Sequence, residues 1–156
     1  MFMMLIPILS FLSGLMLACS TLSVPEHLTV QVDTVMHQTV FDFLDDCEAV
    51  LGAEKCKPRY ELEGGIRKLE NGTLGTCYVY DTPAYLRKIY VDKSVEDPDL
   101  FRVVMYHELM HCILDFQHHD DGLDIMNSTT NADNAKEIAK SWDEFVNQAL
   151  KRGEHQ

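Results

Sequence analysis

The spacing of apolar residues predicts a long helix in the first half of the chain and a second helix further on. Residues 29–51 place an apolar side chain at every third or fourth position, and Gly52 follows as a stop signal. Asp97 and Pro98 are typical of a helix start, and residues 99–116 are apolar around most of the helix circumference. We therefore expect the second helix to be buried at the centre of a domain.

Between these helices the pattern changes to short runs that are typical of strands and turns. Residues 59–62 and 66–69 flank Gly64-Gly65, a pair that indicates a turn. Residues 77–80 and 86–91 are rich in aromatic and β-branched residues, which favour strands. This part of the chain is therefore predicted to form several strands.

A third helix is predicted near the end of the chain. Residues 117–130 are polar and typical of a loop, Asn131 or Asp133 can cap the helix that follows, and Gly153 ends it. The predicted order is helix, strands, central helix, loop and terminal helix. Because the strands cluster and do not alternate with helices, the predicted fold class is α+β.

The start of the sequence indicates export from the cytoplasm. Residues 1–18 contain no charged side chain, and Cys19 follows them. The run Leu15-Met16-Leu17-Ala18-Cys19 resembles a bacterial lipoprotein signal, in which the cysteine is lipidated, although no Lys or Arg precedes the apolar run. An ordinary cleaved signal and an uncleaved membrane anchor are the alternatives. We expect a signal peptide over residues 1–18, a linker over 19–28 and one domain over 29–153.

The charge of the chain argues against nucleic acid as a partner. The formal net charge is −12 over 156 residues, and the uncharged residues 1–18 contribute none of it. Such an acidic domain repels phosphates and is not attracted to anionic lipid, so contact with a membrane is expected only through a lipid anchor on Cys19. The charge serves solubility or, alternatively, a preference for basic substrates.

Four cysteines beyond Cys19 predict two disulfide bonds. An even number of cysteines in an exported domain is typical of a disulfide framework, although three pairings are possible. We favour a local Cys47–Cys56 bond and a Cys77–Cys112 bond that ties a strand to the central helix. Four buried free thiols are the alternative. No CxxC pair is present, so a zinc site made of cysteines alone is not expected.

The central helix carries the pattern His-Glu-x-x-His. His107 and His111 are four residues apart and lie on one helix face, so both rings can reach one ion. Glu108 lies on the same side and can face a water molecule without binding the metal. Two histidine ligands with an adjacent glutamate as general base are typical of zinc peptidases. A hydrogen-bonded pair of core histidines is the alternative interpretation.

A catalytic zinc site needs a third protein ligand, and the loop after the helix offers candidates. We favour His118, seven residues after His111, because a turn can bring it back towards the helix. His119 and Asp120 are alternatives in the same loop. Glu137 on the terminal helix is a further alternative, if the two helices pack face to face.

The stretch HELMHCILDFQHHDDGLDIMN resembles the metzincins, a family of zinc peptidases with an HExxHxxGxxH motif and a downstream turn that contains methionine. The resemblance assigns His107 and His111 as zinc ligands, Glu108 as the catalytic glutamate, and Met126 as the methionine of that turn. It also implies a zincin fold: a small mixed sheet, an N-terminal helix, a buried central helix with the motif, and a C-terminal helix. The specific match covers about residues 89–127.

Two positions depart from the metzincin pattern. Leu114 stands where the family has glycine, and Gln117 stands where the third histidine is expected, so His118 implies one extra residue in the turn. The pattern also resembles small exported metallopeptidases of bacteria and phages.

The sequence therefore predicts a zinc-dependent metalloendopeptidase that acts on a peptide or protein. An extended substrate is expected to pair with a sheet edge, formed by residues 77–80 or 86–91. The alternative is a non-catalytic exported lipoprotein, either a zinc-containing binding module or an immunity-type protein.

Overall fold

The computed structural model describes residues 29–56, 61–80, 86–120 and 122–155. The predicted signal peptide over residues 1–18, the lipid anchor on Cys19 and the linker up to residue 28 lie outside these ranges.

A four-stranded mixed sheet forms one layer of the fold. Its strands are β1 (Val30–Gln31), β2 (Glu61–Arg67), β3 (Gly75–Val79) and β4 (Leu86–Asp92), arranged in the order β1-β2-β4-β3. Neighbours among β1, β2 and β4 are parallel, whereas β3 runs antiparallel to β4. The predicted small mixed sheet is confirmed, with β1 and β3 at its edges.

The turn predicted at Gly64-Gly65 is wrong, because both glycines lie inside β2 and pair with β4. A Cβ on Gly64 would come within 1.8 Å of the carbonyl oxygen of Ile89, and one on Gly65 within 2.6 Å of the Asp33 carboxylate. The backbone of Ile66 also donates a 2.7 Å hydrogen bond to Asp33. The two glycines therefore permit close approach of neighbours that are distant in sequence.

The described residues form five helices. They are α1 (Thr34–Leu51), α2 (Ala53–Cys56), α3 (Pro98–Leu114), α4 (Ala132–Lys140) and α5 (Trp142–Gly153). The first helix starts later than predicted because the residues before it form β1. The predicted terminal helix is divided at Ser141, whose backbone leaves the helical region at φ −133°. The fold class is α+β, as predicted.

Helix α3 is the central element of the core. The Asp97 side chain caps its start by accepting hydrogen bonds from the backbone of Asp99 and Leu100, both at 3.0 Å. Every residue from 103 to 110 is buried. The helix ends two residues before the predicted boundary because Asp115 adopts a left-handed conformation at φ 57°. That conformation turns the chain back alongside the helix.

Two disulfide bonds join Cys47 to Cys56 and Cys77 to Cys112, so both predicted pairings are confirmed. The first links α1 to α2, and the second fastens β3 to α3. Such bonds persist in oxidising compartments, which indicates that the protein works in one. Within the described ranges, no helix has the length and apolar character that crossing a membrane requires.

Candidate metal centre

Three histidine side chains meet at one point beside α3. The Nε2 atoms of His107, His111 and His118 form a triangle in which each pair is 3.1 Å apart. His107 and His111 come from α3, and His118 comes from the backbone that turns back after Asp115. The structure thus brings together the three histidines that the sequence analysis favoured, in a group that could hold a metal ion.

Backbone carbonyls fix the orientation of the two helical rings. Nδ1 of His107 lies 2.8 Å from the carbonyl oxygen of Ile125, and Nδ1 of His111 lies 2.5 Å from that of Phe116. A carbonyl oxygen can only accept a hydrogen bond, so each Nδ1 must carry the proton and donate it. In each neutral ring Nε2 is therefore left with a lone pair that points towards the other histidines.

This arrangement of lone pairs fits a cation. Neither His107 Nε2 nor His111 Nε2 can donate to the other, so two acceptors face each other at 3.1 Å. Facing acceptors that are partly withdrawn from water are costly, and a cation between them removes this cost. Tetrahedral zinc with Zn–N distances of about 2.0–2.1 Å separates neighbouring nitrogens by about 3.3 Å, close to the observed spacing. Imidazole nitrogens also suit other transition metals, so the donor set alone does not select zinc.

The electrostatics keep the helical histidines in the form that binds metal. Burial lowers the pKa of His107 to about 4, partly opposed by the hydrogen bond to Ile125 and reinforced by the charges of His111 and His118. Burial also lowers the pKa of His111, against the effect of its bond to Phe116. Both rings are therefore neutral near pH 7, as a metal ligand must be.

Glu108 lies next to the histidine group and is held by the edge strand. Its side chain is buried, and the backbone N–H of Cys77 in β3 lies close enough to favour its charged form. Burial raises the pKa of Glu108 to about 7, while the N–H of Cys77 acts in the opposite direction. A Cβ on Gly75 would lie 2.7 Å from Glu108 Oε1, so the strand and the helix approach closely only because residue 75 is glycine.

A cleft of about 1000 Å³ opens in front of the histidines and Glu108. Strand β3 and the preceding turn form one wall, and residues 127–132 form another. The lining also includes the apolar residues Leu74, Leu100 and Val104. The volume of the cleft is therefore large enough for several residues of a peptide.

The other candidate ligands lie elsewhere. Among the described residues, neither His119, Asp120 nor Glu137 joins the three-histidine group. The Asp120 carboxylate accepts hydrogen bonds from the backbone and hydroxyl of Ser128, at 2.9 Å and 2.7 Å. Glu137 forms an ion pair with Lys140 at 2.5 Å on an exposed face of α4.

The turn after the histidines is supported by residues that the sequence patterns did not indicate. Met126 is buried in this turn, as the family resemblance suggested, and its backbone N–H donates to Asp124 Oδ1 at 2.8 Å. Arg152 donates to the other oxygen of Asp124 at 2.7 Å. The one available signal was a charged residue between the apolar Leu123 and Ile125.

Comparisons with known proteins do not assign the chain to a family. A scan against protein-family models gives no match, and a search of curated proteins gives none either. The functional interpretation therefore depends on the geometry of the site.

Proposed function

We propose that the protein is a metzincin-like zinc metallopeptidase that hydrolyses peptide bonds. The observation that carries this proposal is the convergence of three histidine Nε2 atoms, 3.1 Å apart, beside the buried carboxylate of Glu108 in one cleft. The mixed sheet with its antiparallel edge strand, together with the buried central helix, is compatible with a zincin fold.

His107, His111 and His118 would hold the ion, and the cleft leaves room for water beside it. Zinc bound there would lower the pKa of a water molecule and polarise the carbonyl of the peptide bond. Glu108 would accept the proton of the attacking water and pass it to the leaving amine. The backbone N–H of Cys77 would hold the Glu108 carboxylate in place during both transfers.

The substrate would be an extended peptide that pairs with β3. Of the two strands that the sequence left open, β4 lies inside the sheet and β3 lies at its edge and lines the cleft. A peptide added to an exposed edge gains backbone hydrogen bonds whatever its sequence. The Glu108 carboxylate would then lie on the side of the peptide that faces α3.

A non-catalytic zinc protein is the rival interpretation. A structural zinc site is closed by four protein ligands, whereas the described residues supply a group of three that borders an open cleft. A purely structural site would also give Glu108 no role that offsets the cost of burying its carboxylate. These two features favour the catalytic interpretation.

The proposed metallopeptidase would work in an oxidising compartment, attached to a membrane through a lipid on Cys19.

The proposal is tested by the metal content and peptidase activity of the purified protein and four variants. We expect about one zinc ion per chain in the parent and in Glu108→Gln, and loss or weakening of zinc in His107→Ala and His118→Ala. His119→Ala is the matched control for His118→Ala, because it removes the neighbouring ring, which lies outside the group. Glu108→Gln should lower peptide cleavage by roughly 10²–10⁴-fold.

Absence of zinc from the parent would refute the metallopeptidase proposal. Zinc binding that depends on the histidines, combined with peptide cleavage in the parent that Glu108→Gln leaves unchanged, would refute the role of Glu108. Zinc binding without any cleavage would favour the non-catalytic protein.

A further inference from the structure

The two carbonyls that orient the helical histidines lie in irregular backbone. Phe116 accepts from His111, and Ile125 accepts from His107, and both lie between the end of α3 and the start of α4. Carbonyls outside helices and strands have no regular hydrogen-bond ladder to fix their direction. Their positions must therefore come from tertiary contacts, and the last turn of α5 makes a contact to each.

The first contact is an ion pair with the turn that contains Ile125. Arg152 Nη1 lies 2.7 Å from Asp124 Oδ2, and Asp124 Oδ1 accepts the backbone N–H of Met126 at 2.8 Å. The Asp124 side chain is only 3% exposed, whereas that of Arg152 is 39% exposed. The carboxylate thus holds the peptide unit between Ile125 and Met126, which contains the Ile125 carbonyl, and Arg152 supplies the charge that keeps the carboxylate buried.

Loss of the arginine would leave a buried carboxylate without its cation. Removing one partner of such a pair is unfavourable because the remaining charge has neither its counterion nor water. Asp124 would move towards solvent, and its hydrogen bond to Met126 would be lost with the turn geometry. The carbonyl of Ile125 would then no longer be held towards His107.

The second contact is between Gly153 and the ring of Phe116. A Cβ on Gly153 would lie 2.1 Å from Phe116 Cδ2 and 2.3 Å from Cε2. Any side chain at this position would displace the ring and move the carbonyl of the same residue, which accepts from His111. Gly153 is therefore required for packing next to the histidine group.

We propose that the last turn of α5, through Arg152 and Gly153, positions His107 and His111 and so sets the metal affinity of the site. Both residues are positioning residues, since neither belongs to the histidine group or contacts Glu108. The inference depends on the proposed function in one respect: it takes the three histidines to be the metal ligands.

The experiment measures zinc affinity by competition with a chelator in the full protein and in single variants. Residues that support a metal ligand typically change metal affinity by about 10–100-fold, so we expect a loss of this size in Arg152→Ala and in Gly153→Ala. Arg152→Lys should recover part of the affinity, because it restores the charge near Asp124. The thermal unfolding of each metal-free protein is measured together with its zinc affinity.

Lys55→Ala is the matched control. Lys55 forms an ion pair with Glu154, which follows α5 directly, but this pair does not touch Asp124 or Phe116. Its removal therefore loosens the same helix end without disturbing either carbonyl. We expect the zinc affinity of Lys55→Ala to stay within about threefold of the parent's, because substitutions at independent sites affect one another little.

The outcomes separate this inference from the proposed function. A parent that binds no zinc would refute the metallopeptidase proposal itself. A parent that binds zinc through the histidines, with unchanged affinity in Arg152→Ala and Gly153→Ala, would overturn only the inference. Equal losses in Arg152→Ala and Lys55→Ala would also overturn it, because they would reflect general loosening of α5.

Discussion

Glu108 takes its position from a strand as much as from its own helix. The backbone N–H of Cys77 meets the carboxylate, and the missing side chain of Gly75 gives it room. Because Gly75 and Cys77 are two residues apart, both face α3, whereas Thr76 faces the other side of the sheet. The Glu108 carboxylate and the strand that is proposed to bind substrate are therefore in direct contact.

We predict that Gly75→Ala destabilises the fold and disturbs Glu108 while leaving zinc binding in place. The new Cβ would lie 2.6 Å from Val104 Cγ1 and 2.7 Å from Glu108 Oε1, so the strand or the carboxylate must shift. Overpacking of this kind costs about 1–3 kcal/mol of unfolding free energy, which denaturant titration measures. Thr76→Ala is the control on the opposite face. Stability and cleavage equal to the parent's would contradict the prediction.

At the level of residues, the sequence predicted the side chains that meet at the site and not the groups that hold them. The spacing of His107 and His111 places two rings on one helix face, and this needs no tertiary information. The role of the Phe116 and Ile125 carbonyls cannot be recognised from residue type, because every residue has a backbone carbonyl. The role of Arg152 depends on how α5 packs, which spacing along the chain does not reveal.

At the level of elements, the Cys77–Cys112 bond is expected to stabilise the fold more than the Cys47–Cys56 bond. It joins β3 to α3 across 35 residues of sequence, whereas the other bond spans 9 residues between consecutive helices. Cross-linking a longer loop restricts the unfolded chain more. The longer bond also lies next to the site, since Cys112 follows His111 directly.

We predict that Cys77→Ala/Cys112→Ala destabilises the protein more than Cys47→Ala/Cys56→Ala. Chain entropy alone gives about 4 kcal/mol for the longer loop and about 2.5 kcal/mol for the shorter one. Chemical denaturation of both double variants measures the difference, and a strong reductant should lower the melting temperature of the parent. Equal stability of the two double variants would show that the loop-length argument does not apply to this fold.

Helices and strands could be predicted from the sequence where their apolar pattern extends over many residues. Helix α3 was predicted within two residues at its end because apolar positions and a capping Asp97 agree. Strand β1 has two residues, too few to produce any period, and was missed. The division at Ser141 leaves the apolar stripe intact on both sides, so periodicity alone joins α4 and α5 into one helix.

At the level of the whole molecule, the three histidines, Glu108 and the supporting turn all fall within residues 107–126. The elements on either side supply the rest: β3 closes the cleft on one side, and α5 supports the backbone from behind. The α+β class followed from the order of predicted elements. The place of β3 at the sheet edge did not, because strand order depends on pairings between distant segments.

The attachment of this domain is predicted to be a lipid on Cys19. Residues 1–18 are uncharged, and the acidic domain has no general attraction to anionic lipid, so an anchor is the expected route to a membrane. Expressed in a bacterium that processes lipoproteins, the chain should be found with membranes, and its mass should show a lipidated Cys19. Cys19→Ser should release it, and Ser20→Ala should not. An unmodified Cys19 in the mature parent would contradict this.

The contact between Cys77 and Glu108 also connects the proposed active site to a disulfide bond. The same residue provides one sulfur of the bond to Cys112 and the N–H that holds the carboxylate. We therefore expect oxidation of the two thiols to restrain the strand segment that lies against Glu108. We expect a newly made chain in a reducing cytoplasm to lack this bond, so the proposed peptidase would be fully assembled only after it reaches an oxidising compartment.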